Sequence, residues 1–341
     1  MSKLILSLDG GGIRGAATTQ FLSNIEHALW DQAHVRIRDC IDFYAGTSTG
    51  SIIALALATT SLSMTDINQL YSVENAKKIF SENRGFLEFD GLNAPKYAAD
   101  RKRDVLQQNF ADARIGDVHQ DKHVLCVSYG IESRRPFVIK STKEDYLHLK
   151  SADVADASSA APTYFPTTSL KMLENEFAHW LIDGGVVANN PTMCAIAEAR
   201  RVWRSLPFDK LRVISVGTGF RTRKINGPDS QHWGSIQWMT KGNIIDILSD
   251  EMVVGYQAIT MIPNGNYIRV NSQLRNQPGL DFPPDDAMDD ISESNIDKLK
   301  RMGDFWFEQY GQAVVDLMLE QYQGDSLDRI DVKTGEPIVF G

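Results

Sequence analysis

Cysteine is scarce. The three residues, Cys40, Cys126 and Cys194, are odd in number and far apart, and no pair has metal-ligand spacing. That argues against a disulfide framework and makes a reducing cytoplasm the expected compartment. Long hydrophobic runs are also missing. The longest small-apolar stretch, Ser51–Ala58, falls far below the ~20 residues a bilayer-spanning helix needs. The apolar run Leu4–Leu8 is too short for a secretory signal and ends at Asp9. A soluble protein is expected, touching a membrane only from outside. Positive charge is in deficit: 35 Lys and Arg against 44 Asp and Glu leave a net charge of −9. An acidic chain is poorly suited to DNA or RNA backbones, which need many cations, though a local basic patch can still hold a small anion. The 43% hydrophobic and 23% charged residues exclude a disordered or collagen-like chain.

What is present is an alternation of strand and helix signals. Leu4–Leu8 reads as a buried strand, followed by the glycine-rich turn Gly10-Gly11-Gly12-Ile13-Arg14-Gly15. Phe21, Ile25, Ala28 and Leu29 then recur at helical spacing. Ile41–Ala45 reads as a second strand, Gly46-Thr47-Ser48-Thr49-Gly50 as the turn after it, and Ser51–Ala58 as a buried helix. Further strands are expected at His123–Ile131, Phe137–Ile139, Leu181–Ile182 and Val213–Val216. A helix start is expected at Asn190-Pro191, and a last helix from Trp306 to Tyr322. This order predicts an α/β layered domain with a largely parallel sheet. Gly279–Pro284 reads as a loop and the acidic run Asp285–Asp290 beside it as solvated surface. No linker splits the chain, so one domain with a C-terminal extension is expected.

Gly46-Thr47-Ser48-Thr49-Gly50 matches G-x-S-x-G. Between an apolar strand and a buried helix, that pentapeptide puts the serine on a sharp, strained turn at a helix N-terminus, where developing negative charge is favoured. The alternative is an ordinary tight turn. A serine nucleophile needs an oxyanion site, and the glycine turn at residues 10–15 suits it, because backbone N–H groups converge there without Cβ obstruction. Arg14 adds a fixed cation, to hold the loop or face a phosphate. The same turn also reads as G-x-G-x-x-G through Gly10, Gly12 and Gly15, the dinucleotide-binding pattern. Against that reading, Asp31, Asp39 and Asp42 precede or start the second strand, so the acidic partner expected after it is not clearly there. The base is the notable absence. Of the seven histidines only His232 is late in the chain, and no strand precedes it. Asp183, closing a strand and followed by Gly184-Gly185, fits better as the proton acceptor, provided burial raises its pKa; a turn or capping aspartate is the alternative.

Leu8–Gly15, Gly46–Gly50 and Asp183-Gly184-Gly185, in that order, resemble the three signatures of the patatin-like phospholipases. Ser159-Ala160-Ala161-Pro162-Thr163-Tyr164-Phe165-Pro166 resembles a block these proteins carry between elbow and aspartate. The resemblance spans residues 4–220, leaving 221–341 as an extension packed on the same domain. It implies a three-layer α/β/α fold with Ser48 as nucleophile and Asp183 as base. Gly10, Gly11 and Gly12 would form the oxyanion hole, without metal or organic cofactor. It further implies ester hydrolysis at a phospholipid membrane surface, through an acyl-serine. Gly185 departs from the alanine of many members, a change not expected to affect the chemistry. The chain also resembles bacterial patatin-like effectors switched on by cyclic nucleotides in anti-phage defence. That implies an enzyme at the inner membrane face, controlled by a cyclic dinucleotide. Arg200, Arg201, Arg204, Arg212, Arg221, Arg223 and Lys224, or Arg134-Arg135, are the candidate cations for such an activator or for lipid head groups; a solvated face is the alternative. A homo-oligomer is an open expectation. A constitutive lysophospholipase or esterase and an idle lipid-binding scaffold are the other readings. Phe86–Phe89 is a candidate lid, and His232-Trp233 to Trp238-Met239 a candidate interfacial segment.

Overall fold

The computed structural model describes residues 2–82, 94–119, 121–172, 177–222, 224–241 and 251–340. Among the described residues, ten strands form one sheet: β1 (Lys3–Leu8), β2 (Phe43–Thr47), β3 (His123–Gly130), β4 (Arg135–Lys140), β5 (Thr168–Leu170), β6 (His179–Asp183), β7 (Leu211–Val216), β8 (Tyr267–Val270), β9 (Ser326–Ile330) and β10 (Pro337–Phe340). Their order is β10-β9-β8-β7-β1-β2-β3-β6-β5, with β4 also on β3. The middle, from β9 to β3, is parallel; β4, β5, β6 and β10 join antiparallel at the margins.

Side-chain alternation along the strands divides the core into two layers. Leu4, Leu6 and Leu8 pack with Phe21, Ile25, Ile53 and Trp306 on one face. Ile5, Phe43, Ala45 and Val213 pack with Ala195, Ile196 and Ala199 on the other. The helices Gly15–Ala33, Thr49–Thr59 and Glu293–Met318 cover the first face, and Thr192–Val202 and Met252–Met261 the second. The result is the three-layer α/β/α arrangement. The C-terminal residues belong to this body: β8 extends the sheet beside β7, and the last long helix packs along the first. Gly303 makes that packing close, since a Cβ there would lie 2.6 Å from the Ala17 carbonyl oxygen.

Several elements differ from their sequence expectation. The second strand starts at Phe43 rather than Ile41, because the Asp42 carboxylate accepts the Leu4 N–H at 2.8 Å and pairs with Lys3. The last helix begins at Glu293, thirteen residues before Trp306. Ser292 caps it by accepting the Asn295 N–H, and Ile296, Leu299 and Met302 carry its buried face through a segment whose lysines read as polar. The Asn190 side chain accepts the Thr192 N–H, so that helix starts one residue past Pro191. The acidic run is not simply solvated surface. The Met288 carbonyl accepts the Ile13 N–H at 2.9 Å, and Asp289 pairs with Lys96 and accepts from the Tyr97 hydroxyl. It therefore lies against the glycine turn.

Candidate active site

Strand ends place the reactive groups. In an open α/β sheet, ligands gather at the C-terminal edge where successive strands diverge. Here β2 and β7 lie on opposite sides of β1, and the glycine turn follows β1 while Ser48 follows β2. Asp183 arrives from the other direction. Along β3, β2 pairs as far as Thr47 with Val127, and the next residue, Ser128, pairs with Asp183 of antiparallel β6. The serine leaving β2 and the aspartate ending β6 thus meet on one edge of β3.

Ser48 has φ 54° and ψ −123°, a strained backbone for a residue with a side chain. Small neighbours permit the turn: a Cβ on Gly46 would lie 2.3 Å from the Gly50 carbonyl oxygen, and one on Gly50 2.1 Å from that of Leu8. The helix Thr49–Thr59 starts at the elbow and directs its N-terminus toward the hydroxyl. Ser48 Oγ donates to Asp183 Oδ2 at 2.6 Å, with no histidine between them. Asp183 is buried, and burial pushes its carboxyl up to about 6; the Ser48 hydroxyl, the Gly185 N–H at 2.7 Å and the Lys102 cation oppose that rise. A carboxylate poised there accepts protons far better than an ordinary aspartate. It is ionised above about pH 6 and silenced below. With a soluble ester, kcat is expected to fall on the acid side with a limb near pH 6; a limb near 4 would contradict the burial of this carboxylate.

Gly185 is tighter than expected. A Cβ there would stand 3.1 Å from Asp183 Oδ1 and 3.3 Å from Asn189 Oδ1. An alanine at this position presses on the carboxylate. Gly184 is tighter still, its Cβ position 2.3 Å from the Val127 carbonyl oxygen.

The glycine turn is fastened on both sides. Gly10 donates its N–H to the Asn189 carbonyl at 3.0 Å, so that N–H is committed and does not serve an oxyanion. The Gly10 carbonyl accepts from Thr218 Oγ1 at 2.8 Å. Gly12 has φ +58° and lies against the Met288 carbonyl, which takes the Ile13 N–H. The Gly11 and Gly12 N–H groups have no acceptor among the described residues. A Cβ on Gly15 would meet Thr49 Oγ1 at 2.4 Å. Arg14 turns back, its Nε donating to the Gly11 carbonyl, and so holds the loop.

Below the turn lies an ion pair with no local signature. Arg269, at the end of β8, forms a two-pronged pair with Asp9 at 3.1 and 2.5 Å, both residues buried. It also donates to Ser215 and meets Glu251. Burial raises the Asp9 carboxyl to about 6, and the guanidinium opposes the rise. Asn189, Thr218, Met288, Arg269 and Ser158 were all invisible as site residues in the sequence. Each acts through long-range contact.

Several of the candidate arginines have protein partners of their own. Arg200 donates to the Leu206 carbonyl and lies over Phe208; Arg201 pairs with Glu198; Arg204 donates to Arg201. Arg212 is buried against the end of the long helix, at the Leu317 and Met318 carbonyls. Arg221 pairs with Asp286, and Arg135 lies over Phe137 beside Arg134. Arg223 and the candidate lid Phe86–Phe89 lie outside the described residues. Trp233 and Trp238 pack edge to face on each other at 5.3 Å.

The profile of the patatin-like phospholipase family matches residues 6–196, more than half of the chain. The chain belongs to that family. Patatin-like protein 2 of Oryza sativa subsp. indica is 27% identical over 97% of this chain and 86% of its own length. Patatin-like protein 1 of Arabidopsis thaliana is 28% identical, covering 88% and 80%. Among solved structures, VipD of Legionella pneumophila aligns over 89% of this chain and 67% of its own, at 11% identity and a TM-score of 0.41. The type III effector ExoU aligns over 94% and 54%, at 12% and 0.38. As a family member the protein is a hydrolase, which displaces the dinucleotide-binding reading of Gly10, Gly12 and Gly15.

Proposed function

We propose that the protein is a serine acyl hydrolase of phospholipase A type, releasing fatty acids from membrane phospholipids through a Ser48–Asp183 dyad. The observation that carries this reading is the direct 2.6 Å hydrogen bond from Ser48, on its strained elbow, to a buried carboxylate whose pKa stands near 6. Ser48 Oγ attacks the ester carbonyl carbon while its proton passes to Asp183 Oδ2. The Gly11 and Gly12 N–H groups, free of acceptors among the described residues, take the tetrahedral oxyanion. The intermediate collapses with cleavage of the ester C–O bond, and Asp183 returns the proton to the departing lysophospholipid. Water then attacks the acyl-serine, Asp183 again taking the proton and returning it to Ser48 Oγ as the acyl C–Oγ bond breaks, and the fatty acid leaves.

The phospholipid surface, the inner membrane face and a cyclic-dinucleotide switch complete the proposal; they rest on the sequence resemblance. The test is fatty acid release from phosphatidylcholine and phosphatidylglycerol vesicles, by wild type and Ser48→Ala, with and without a panel of cyclic dinucleotides. Release by wild type only in the presence of one cyclic dinucleotide is the expected outcome, with Ser48→Ala at background throughout. Release without any nucleotide removes the switch and keeps the enzyme. Cleavage of a soluble ester but of no vesicle lipid overturns the substrate class. Undiminished turnover by Ser48→Ala overturns the dyad.

A further inference from the structure

The segment Ala157–Ala160 touches both halves of the dyad. The Ser48 N–H donates to Ser158 Oγ at 3.1 Å, the Asp183 N–H to the Ala160 carbonyl at 3.0 Å, and the Gly184 N–H to the Ser158 carbonyl at 3.3 Å. The buried Ser158 hydroxyl is used to capacity: one proton to give and two lone pairs to offer. Its proton goes to the Val127 carbonyl at 2.5 Å, and it accepts from the Ser48 N–H and the Ser51 hydroxyl. Val127 is the β3 residue opposite Thr47, immediately before the residue opposite Asp183. Ser158 therefore sits where β2, β3 and β6 converge. Beneath it, buried Lys102 donates to the Asp156 and Ser159 carbonyls and pairs with the Asp156 carboxylate at 2.9 Å. A cation placed there secures the C-terminal end of the helix Ser151–Ser158.

We infer that Ser158 is a positioning residue for this hydrolase: its hydroxyl holds the main chain of Ser48 and its carbonyl holds that of Gly184, the residue after Asp183, so one residue braces both sides of the Ser48–Asp183 contact. The inference rests on the dyad reading above. A strained backbone persists only where its surroundings over-determine it, and the Ser158 hydroxyl is the acceptor that holds the N–H of Ser48. The groups facing Asp183 are the Ser48 hydroxyl, the Gly185 N–H and, from the helix Ala99–Phe110, the Lys102 cation whose nearer partner is Asp156. If Ser48 slips, its hydroxyl no longer favours the ionised carboxylate, and the acid limb of the pH profile moves up.

Ser158→Ala and Ser158→Cys are the test variants; the thiol keeps the volume and a weak acceptor. Ser151→Ala is the control. It removes an equally buried hydroxyl at the far end of the same helix, bonded to Thr59. The readouts on a short-chain soluble ester are kcat, KM, the acid limb and the rate of Ser48 labelling by a fluorophosphonate. For Ser158→Ala, kcat is expected to fall roughly 10- to 100-fold, the scale of loss from small misplacements, with KM little changed. Labelling should slow in parallel and the acid limb should rise. Ser158→Cys should show a smaller loss of the same kind, and it decides the matter if the alanine variant does not fold. Ser151→Ala should lose stability but keep kcat and the limb. The inference is overturned if a folded Ser158 variant keeps wild-type kcat and an unmoved limb, or if Ser151→Ala reproduces the whole kinetic change. Ser48→Ala runs alongside: retained turnover there defeats the dyad itself, a failure distinct from that of the positioning role.

Discussion

Asp183→Asn is expected to lower kcat by about 10³- to 10⁴-fold while making the folded protein more stable at neutral pH. The first effect follows from the contact: the amide cannot take the proton that Ser48 must lose. The second follows from linkage. An aspartate whose folded pKa stands near 6, above its ordinary 3.8, favours the folded state fully below the lower value. That contribution is lost as pH rises through the folded pKa. Holding the ionised carboxylate in this buried site costs the native state on the order of 3 kcal/mol at neutral pH. The amide removes that cost. Its stability gain should therefore be present at pH 8, shrink through pH 6 and vanish near pH 4. Denaturant midpoints at the three pH values read it directly. A variant destabilised equally at every pH would show that the carboxylate is structural rather than held in reserve for catalysis.

Arg269→Met is expected to carry the largest loss of stability outside the dyad, about 3–5 kcal/mol, the usual cost of leaving one partner of a buried ion pair uncompensated. Asp9 is the residue immediately before the glycine turn, and its carboxylate is held from β8 by both prongs of the guanidinium. Once the cation is gone the Asp9 carboxyl, with Glu251 left beside it, is relieved by protonating, so the loss should be greater at pH 8 than at pH 5. Activity should fall with it, because the glycine turn that carries the proposed Gly11 and Gly12 donors begins at the next residue, Gly10. Replacing the pair by Asp9→Leu with Arg269→Met should restore part of the stability. Equal losses at the two pH values would mean that the unpaired carboxylate is not their source.

The parts of the fold that were legible were those with local causes. The parallel α/β pattern, the elbow and the glycine turn are written in contiguous residues, since strand period, turn chemistry and helix amphipathicity act over short spans. The start of the last helix was obscured by Lys298 and Lys300, although Ile296, Leu299 and Met302 continue its buried face. The second strand was displaced because Asp42 is fixed by Lys3 and Leu4, a contact between strands.

The site divides in the same way. Ser48, Asp183 and the glycines were found in order along the chain. Their support was not, because Arg269 meets Asp9 across 260 positions, Thr218 meets Gly10 across 208, and Ser158 meets Ser48 across 110. Gly10 shows the limit most clearly. Its motif position suggests an oxyanion donor, but the Asn189 carbonyl already holds its N–H, so that the proposed oxyanion site falls to Gly11 and Gly12. Likewise the arginines close in sequence are distributed by the fold among separate partners, which no spacing rule anticipates.

The central claim is that Ser48 is a nucleophile activated by Asp183 without a histidine. Its most direct test is to treat wild type, Ser48→Ala and Asp183→Asn with a fluorophosphonate and map the adduct by peptide mass spectrometry. The account predicts one adduct, on Ser48, forming in wild type, absent in Ser48→Ala and far slower in Asp183→Asn. An adduct on another residue, or labelling of Asp183→Asn at the wild-type rate, would contradict it.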